Sequence, residues 1–167
     1  LKNGTTIMEG VNGAFKPGRL CAIMGPSGAG KTTIISLVTG KAKKTSGKVF
    51  VNKELQDGLM HYRKLVGFVP QEDVIIRSLS VRDNISFSAR YRLPTSLSEF
   101  EIVQKVNDCI EVLGVSHVQH SLIGDERTRG ISGGQRKRVN IGIELVADPS
   151  VLFLDEPTSG LDSTTAT

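Results

Sequence analysis

The sequence predicts an α/β domain: a parallel sheet buried on both faces, with a helical block inserted between two of its strands. Three observations predict it. Leu20-Cys21-Ala22-Ile23-Met24 is a continuous apolar run leading straight into a glycine-rich loop and a helical pattern, as a strand covered on both sides would be. Val151-Leu152-Phe153-Leu154 is a second such run, and it ends on two carboxylates, Asp155 and Glu156. Between them, from about Ser80, the apolar period changes from strand-like to helical.

In chain order, residues 7–15 and 19–24 read as an N-terminal antiparallel pair of strands, with Lys16-Pro17-Gly18 as the turn. A helix is predicted over about 31–39, stopped by Gly40. Residues 48–51 and 66–69 are further short strands. Ser80-Val81-Arg82-Asp83 and Ser98-Glu99-Phe100-Glu101 both have capping-box spacing. Ile102, Val106, Ile110 and Leu113 then form an apolar stripe ending at Gly114. A last helix is predicted over 133–146. The expected division is a core of residues 1–74 and 147–167, with residues 75–146 as a helical subdomain.

The chain has 167 residues, 38% of them hydrophobic, with 18 glycines and no tryptophan, enough for one domain with a real core. The net charge of +4 is mild, and its cations gather near residues 25–32 and 132–138. A bound anion explains them better than a nucleic-acid face, so no nucleic-acid partner is expected. Cys21 and Cys109 lack CxxC spacing and are read as buried, reduced thiols of a cytosolic protein. No apolar run approaches the roughly 18 residues that span a bilayer. No signal peptide is visible. Leu1 and Thr167 fall in mid-element and mid-motif, so the chain reads as a piece of something longer.

Gly25-Pro26-Ser27-Gly28-Ala29-Gly30-Lys31-Thr32, followed by Thr33, has the residues a phosphate loop requires. Glycines let backbone N–H groups converge on phosphate oxygens. Lys31 supplies a point charge, Thr32 a hydroxyl for Mg²⁺, and the following helix a positive end. Asp155, at the end of a parallel strand, is placed to hold Mg²⁺ through water, and Glu156 is the natural general base for water attack on a γ-phosphate. Alone, Asp155-Glu156-Pro157 would read as a plain strand-ending turn. Gln71 closes a strand where the helical block begins, and its amide could reach Mg²⁺ or the attacking water. Ser132-Gly133-Gly134-Gln135 is again a capping box, yet two glycines exceed what capping needs, and they suit a second anion held by another subunit.

Together, Gly25 to Thr32, Gln71, Ser132 to Gln135, Leu154 to Pro157 and Ser159-Gly160-Leu161-Asp162 resemble the ATP-binding cassette ATPases in motif order and spacing. They are similar to that family's Walker A loop, Q-loop, signature, Walker B and D-loop. Gly130 to Val139 and Asp155 to Ser163 resemble the eukaryotic G subfamily, the White-type half transporters. The resemblance implies a P-loop NTPase fold with a RecA-like parallel core. It implies ATP and Mg²⁺ as ligands, with ATP sandwiched between the Walker A loop of one cassette and the signature of another. Catalysis then falls to Glu156 and Gln71, Mg²⁺ to Thr32, Gln71 and Asp155, and nucleotide contact also to Asp162. It further implies a transmembrane domain on the same polypeptide, a second cassette as homo- or heterodimer partner, and a place on the cytosolic face of a membrane.

The family's switch histidine lies beyond the D-loop, so none of His61, His117 and His120 fills that role, and no adenine-stacking aromatic can be named. His117-x-x-His120 reads as a surface pair, not a metal site. Lys41, Lys43 and Lys44 read as a solvated charge run. A soluble cassette ATPase acting on ribosomes or DNA is the alternative, as is a degenerate cassette without turnover. Glu156 and the intact Ser132-Gly133-Gly134 oppose the latter. No long coiled coil separates the phosphate loop from the signature, and no CxxC pairs mark a DNA-repair relative. Because the resemblance implies a strand from beyond the D-loop between residues 20–24 and 151–154, the chain by itself is expected to be unstable.

Overall fold

The computed structural model describes residues 6–125 and 128–159, which fall into two compact units, one within residues 1–61 and one within 62–167. In the first unit α1 (Lys31–Thr39) ends at Gly40, whose φ of 79° lets its N–H turn back to the Leu37 carbonyl at 3.2 Å. Next come β1 (Val49–Val51) and β2 (Glu54–Gln56), an antiparallel hairpin registered Val49↔Gln56 and Val51↔Glu54. Its two-residue turn puts Asn52 and Lys53 at φ 50° and 73°, the left-handed pair that matches the twist of a tight hairpin.

The strands expected over 7–15 and 19–24 are not present. The turn between them is, with Pro17 followed by Gly18 at φ 64°. Gly10 at φ 66° breaks the first segment, and Leu20 and Met24 are 94% and 89% exposed. A strand is a property of a pair, since its N–H and C=O groups need a partner's ladder. Among the described residues no backbone ladder is formed to residues 7–15 or 19–24. Cys21 is accordingly exposed, correcting the reading of it as buried. Lys44 departs from the solvated run by pairing with Asp57 at 2.8 Å, which holds that carboxyl below its usual range.

The second unit is built from β3 (Val66–Val69), α2 (Val81–Arg92), α3 (Glu99–Val112), α4 (Gly133–Leu145) and β4 (Val151–Leu154). β3 and β4 pair in parallel, Val66↔Val151 through Val69↔Leu154. A parallel pair cannot be joined by a tight turn, and the three helices are its crossover. Each helix starts at the serine the spacing predicts. Ser80, Ser98 and Ser132 accept from the N–H of Asp83, Glu101 and Gln135, and each of those side chains reaches back to the serine N–H. Glu101 is held below the ordinary carboxylate range, first by the Ser98 hydroxyl and then by its N–H. A carboxyl depressed in the fold favours folding above its unfolded value, so this cap weakens as pH falls through the folded one.

The core lies among these helices. Val81, Ile85 and Ala89 of α2, Val106, Cys109 and Ile110 of α3, and Val139 of α4 pack with Val115, Ile123 and Val146. Burial pushes the Cys109 thiol up to about 11. Gly142 sits where the three helices meet. A Cβ there would stand 2.5 Å from Leu113 Cδ1, 3.3 Å from Ile85 Cδ1 and 3.6 Å from Cys109 Sγ. Leu113 is only half-buried and could swing aside for one methyl group, but Ile85 is fully buried. Gly142→Leu is therefore expected to destabilise by about 1–3 kcal/mol through overpacking. The check is the thermal unfolding midpoint of the full-length protein, and an unchanged midpoint would mean the helices do not meet this closely.

Among the described residues no helix is long and apolar enough to cross a membrane.

Candidate functional site

In the first unit, the loop of residues 25–30 brings the chain from the extended segment into α1. Gly28 and Gly30 take φ of 79° and 90°, and Ala29 N–H closes a turn on the Pro26 carbonyl at 3.2 Å. Only glycine adopts such angles without strain. The N-terminus of α1 differs from those of α2, α3 and α4. They carry serine capping boxes, whereas α1 has Gly30 at its N-cap, no side-chain cap and no acidic residue in its first turn. Its amide end and helix dipole therefore favour an external anion. Lys31 Nζ folds back over the loop, donating to the carbonyls of Gly25 at 3.1 Å and Pro26 at 3.0 Å. The ammonium thus pre-shapes the loop from within. Pro26, Ser27, Gly28, Ala29 and Thr32 are exposed, and Thr33 is half-buried on the first turn of α1.

In the second unit, β4 delivers two neighbouring carboxylates to unlike surroundings. The Asp155 N–H donates to the Val69 carbonyl at 2.9 Å, extending the β3–β4 ladder, and Asp155 is 7% exposed. Glu156 follows at φ 48°, a left-handed conformation that a non-glycine residue rarely takes, and is exposed. Its Oε2 accepts from Gln71 Nε2 at 3.1 Å. β3 and β4 end side by side, so Gln71 and Glu156, 85 positions apart, meet at the same sheet edge as Asp155. Such an edge, at the C-terminal ends of parallel strands, is where open α/β sheets bind ligands.

The third group begins α4. Ser132 Oγ accepts from Gln135 N–H at 3.2 Å, and Gln135 Oε1 accepts from Ser132 N–H at 2.9 Å. Gly133 is exposed with open space where a Cβ would lie, while Gly134 is buried. Gln135 Nε2 lies 3.2 Å from His117 Nε2. Since Gln135 Oε1 is committed to Ser132, the amide nitrogen is the Gln135 atom that meets the ring. His117 thus has a partner in Gln135. A cavity of about 410 Å³ joins the end of this helix to the Gln71 loop, lined by Gln71, Asp73, Arg77, Gly133, Arg136 and Lys137. Asp162 lies outside the described residues.

Sequence reading missed the polar face of α4 formed by the buried Lys137 and Asn140 and the half-buried Glu144. Their spacing was visible, but polar residues at helical spacing look the same whether they face water or a neighbouring main chain.

Residues 8–159 match the family described as ABC transporter. The ABC transporter G family member 28 of Arabidopsis thaliana is 51% identical over 162 residues, 96% of this chain and 14% of its own length. Across the curated relatives it matches, the chain spans 14–25% of their length. Among solved structures, cbiO1 of Clostridium perfringens, part of the ABC transporter complex cbiONQ, has a TM-score of 0.81 at 32% identity, over 98% of this chain and 64% of that one. The ATP-binding cassette MJ0796, solved as a post-hydrolysis dimer with ADP and Pi, has a TM-score of 0.75 at 27% identity, over 96% of this chain and 70% of that one.

Proposed function

The chain belongs to the ABC transporter family, in its G-type branch and with the P-loop NTPase fold, and from that premise we propose that it is the ATP-hydrolysing cassette of a membrane exporter. The contact of Gln71 with Glu156 beside the buried Asp155 carries the proposal. Gly25 to Thr33 bind the phosphates of ATP, with Lys31 turning from its loop carbonyls toward the β- and γ-oxygens. Glu156 is the general base. It takes a proton from the water attacking the γ-phosphorus, while the bond to the bridging oxygen breaks and ADP leaves. Gln71 orients that carboxylate through its amide.

The resemblance assigns Mg²⁺ to the hydroxyl of Thr32, the amide oxygen of Gln71 and the carboxylate of Asp155, oxygen donors of the kind that ion takes. That ion keeps water and phosphate among its ligands and needs few protein groups. When bound, it would neutralise charge developing on the phosphate oxygens. Residues 1–74 with 147–167 act as the nucleotide-binding core and 75–146 as the helical subdomain. Ser132, Gly133, Gly134 and Gln135 face the ATP of a second cassette, and the resemblance assigns nucleotide contact to Asp162 as well. Two cassettes closing on ATP drive export through a transmembrane domain on the same polypeptide, from the cytosolic face. The dimeric state of MJ0796 and the transporter names of the relatives support this reading.

The test uses the full-length protein in sealed inside-out vesicles with a panel of lipids, sterols and amphiphilic drugs. ATP turnover, and ATP-dependent accumulation of at least one compound, are expected. Turnover stimulated by ribosomes or DNA and by no membrane would overturn the exporter in favour of a soluble ATPase.

A further inference from the structure

Three side chains on one face of α4, at positions i, i+3 and i+7, grip the main chain of residues 68–74. Glu144 Oε2 accepts from the Phe68 N–H at 3.0 Å. Lys137 Nζ donates to the Gln71 carbonyl at 2.8 Å and pairs with Asp73 Oδ1 at 2.7 Å. Asn140 Oδ1 accepts from the Val74 N–H at 3.1 Å. Lys137 is only 6% exposed and Asn140 only 2%. Glu144 is itself fixed by Arg92 of α2 at 2.6 Å.

A buried lysine is a costly way to fill space, and apolar side chains of the same volume commonly do so at no loss of stability. What they could not do is bind a carbonyl on the residue whose side chain holds Glu156. The chain of contacts runs from Glu156 Oε2 to Gln71 Nε2, along the Gln71 backbone to its carbonyl, and on to Lys137. Lys137 lies one turn and a half from Ser132, where α4 begins. Any shift or rotation of α4 as its N-terminus engages an anion is therefore passed to Gln71.

We propose that Lys137 is a positioning residue for hydrolysis, fixing Gln71 against Glu156 and making the set of the general base depend on how the signature helix is seated. Resting on the ATPase reading above, this adds a residue that acts on the site through Gln71.

Lys137→Met keeps the length and removes the charge. In the full-length protein it is expected to lower kcat for ATP about tenfold with KM within about twofold, the split that marks a transition-state effect. Because the single variant takes from Asp73 its Lys137 partner, the paired Asp73→Asn/Lys137→Met variant removes both charges and protects the fold. It too should stay about tenfold slow if holding the Gln71 carbonyl matters. Return of the pair to wild-type turnover would show that charge neutrality alone was at stake and would overturn the proposal. A second readout is independent of turnover. Amide hydrogen exchange over residues 68–76 should quicken at least about fivefold in the paired variant, because local opening becomes easier. Unchanged exchange would overturn the clamp even in a protein that hydrolyses ATP. A wild-type protein without ATP turnover would instead sink the ATPase reading, with exchange still deciding the clamp.

Discussion

Replacing Glu156 with glutamine is expected to leave ATP binding intact and slow its hydrolysis by roughly 10²–10⁴-fold, the usual worth of a positioned general base. The substitution is nearly isosteric, and its amide oxygen can still accept from Gln71 Nε2, as Glu156 Oε2 does at 3.1 Å. It also leaves the left-handed backbone at φ 48° unchanged. What disappears is basicity alone. With cleavage blocked, ATP should persist between two cassettes, and cysteines placed at Ser27 and Ser132 should cross-link one copy to the other. Retained labelled ATP with almost no phosphate release is the expected outcome. Wild-type release by the variant would remove Glu156 from the catalytic role.

Lys31→Ala should act at the earlier step, weakening ATP affinity roughly ten- to a hundredfold through loss of a charge-assisted contact of about 1.5–3 kcal/mol. A second cause adds to it. The ammonium also ties the carbonyls of Gly25 and Pro26, so its removal loosens the loop that should meet the phosphates preformed. Equilibrium binding of a labelled ATP analogue to the full-length protein measures the loss. Unchanged affinity would show that the backbone amides of the loop suffice and that Lys31 only shapes it.

Features written in short stretches of chain were legible from sequence. α1 with its Gly40 stop, β3, the serine caps of α2, α3 and α4, and β4 stand where residue types and spacing placed them. What depends on a distant partner was not. Residues 20–24 have the composition of a buried strand, yet composition supplies no ladder, and Leu20 and Met24 face solvent. β2 was missed because Glu54-Leu55-Gln56 has no β-branched residue, and its pairing comes from the Asn52-Lys53 turn. In the candidate site, glycines and Lys31 marked the loop of residues 25–32, and carboxylates marked the end of β4. Gln71 had no local signal beyond its place after a strand. Its meeting with Glu156 across 85 positions is a consequence of the parallel β3–β4 register. Lys137 and Asn140 could not be distinguished from a solvated face, since only the fold reveals that the main chain of residues 71–74 runs beneath them.

The left-handed torsion at Glu156 sets two selective pressures against each other. A non-glycine residue held there costs on the order of 1 kcal/mol, a strain that glycine would relieve while giving up the Glu156 side chain and its exposed hydrogen bond to Gln71. A lineage freed from the need to hydrolyse ATP would therefore have one reason, the relief of this torsion, to lose its carboxylate at this very position. On the role proposed for Glu156, drift toward a sturdier domain would lead away from turnover here.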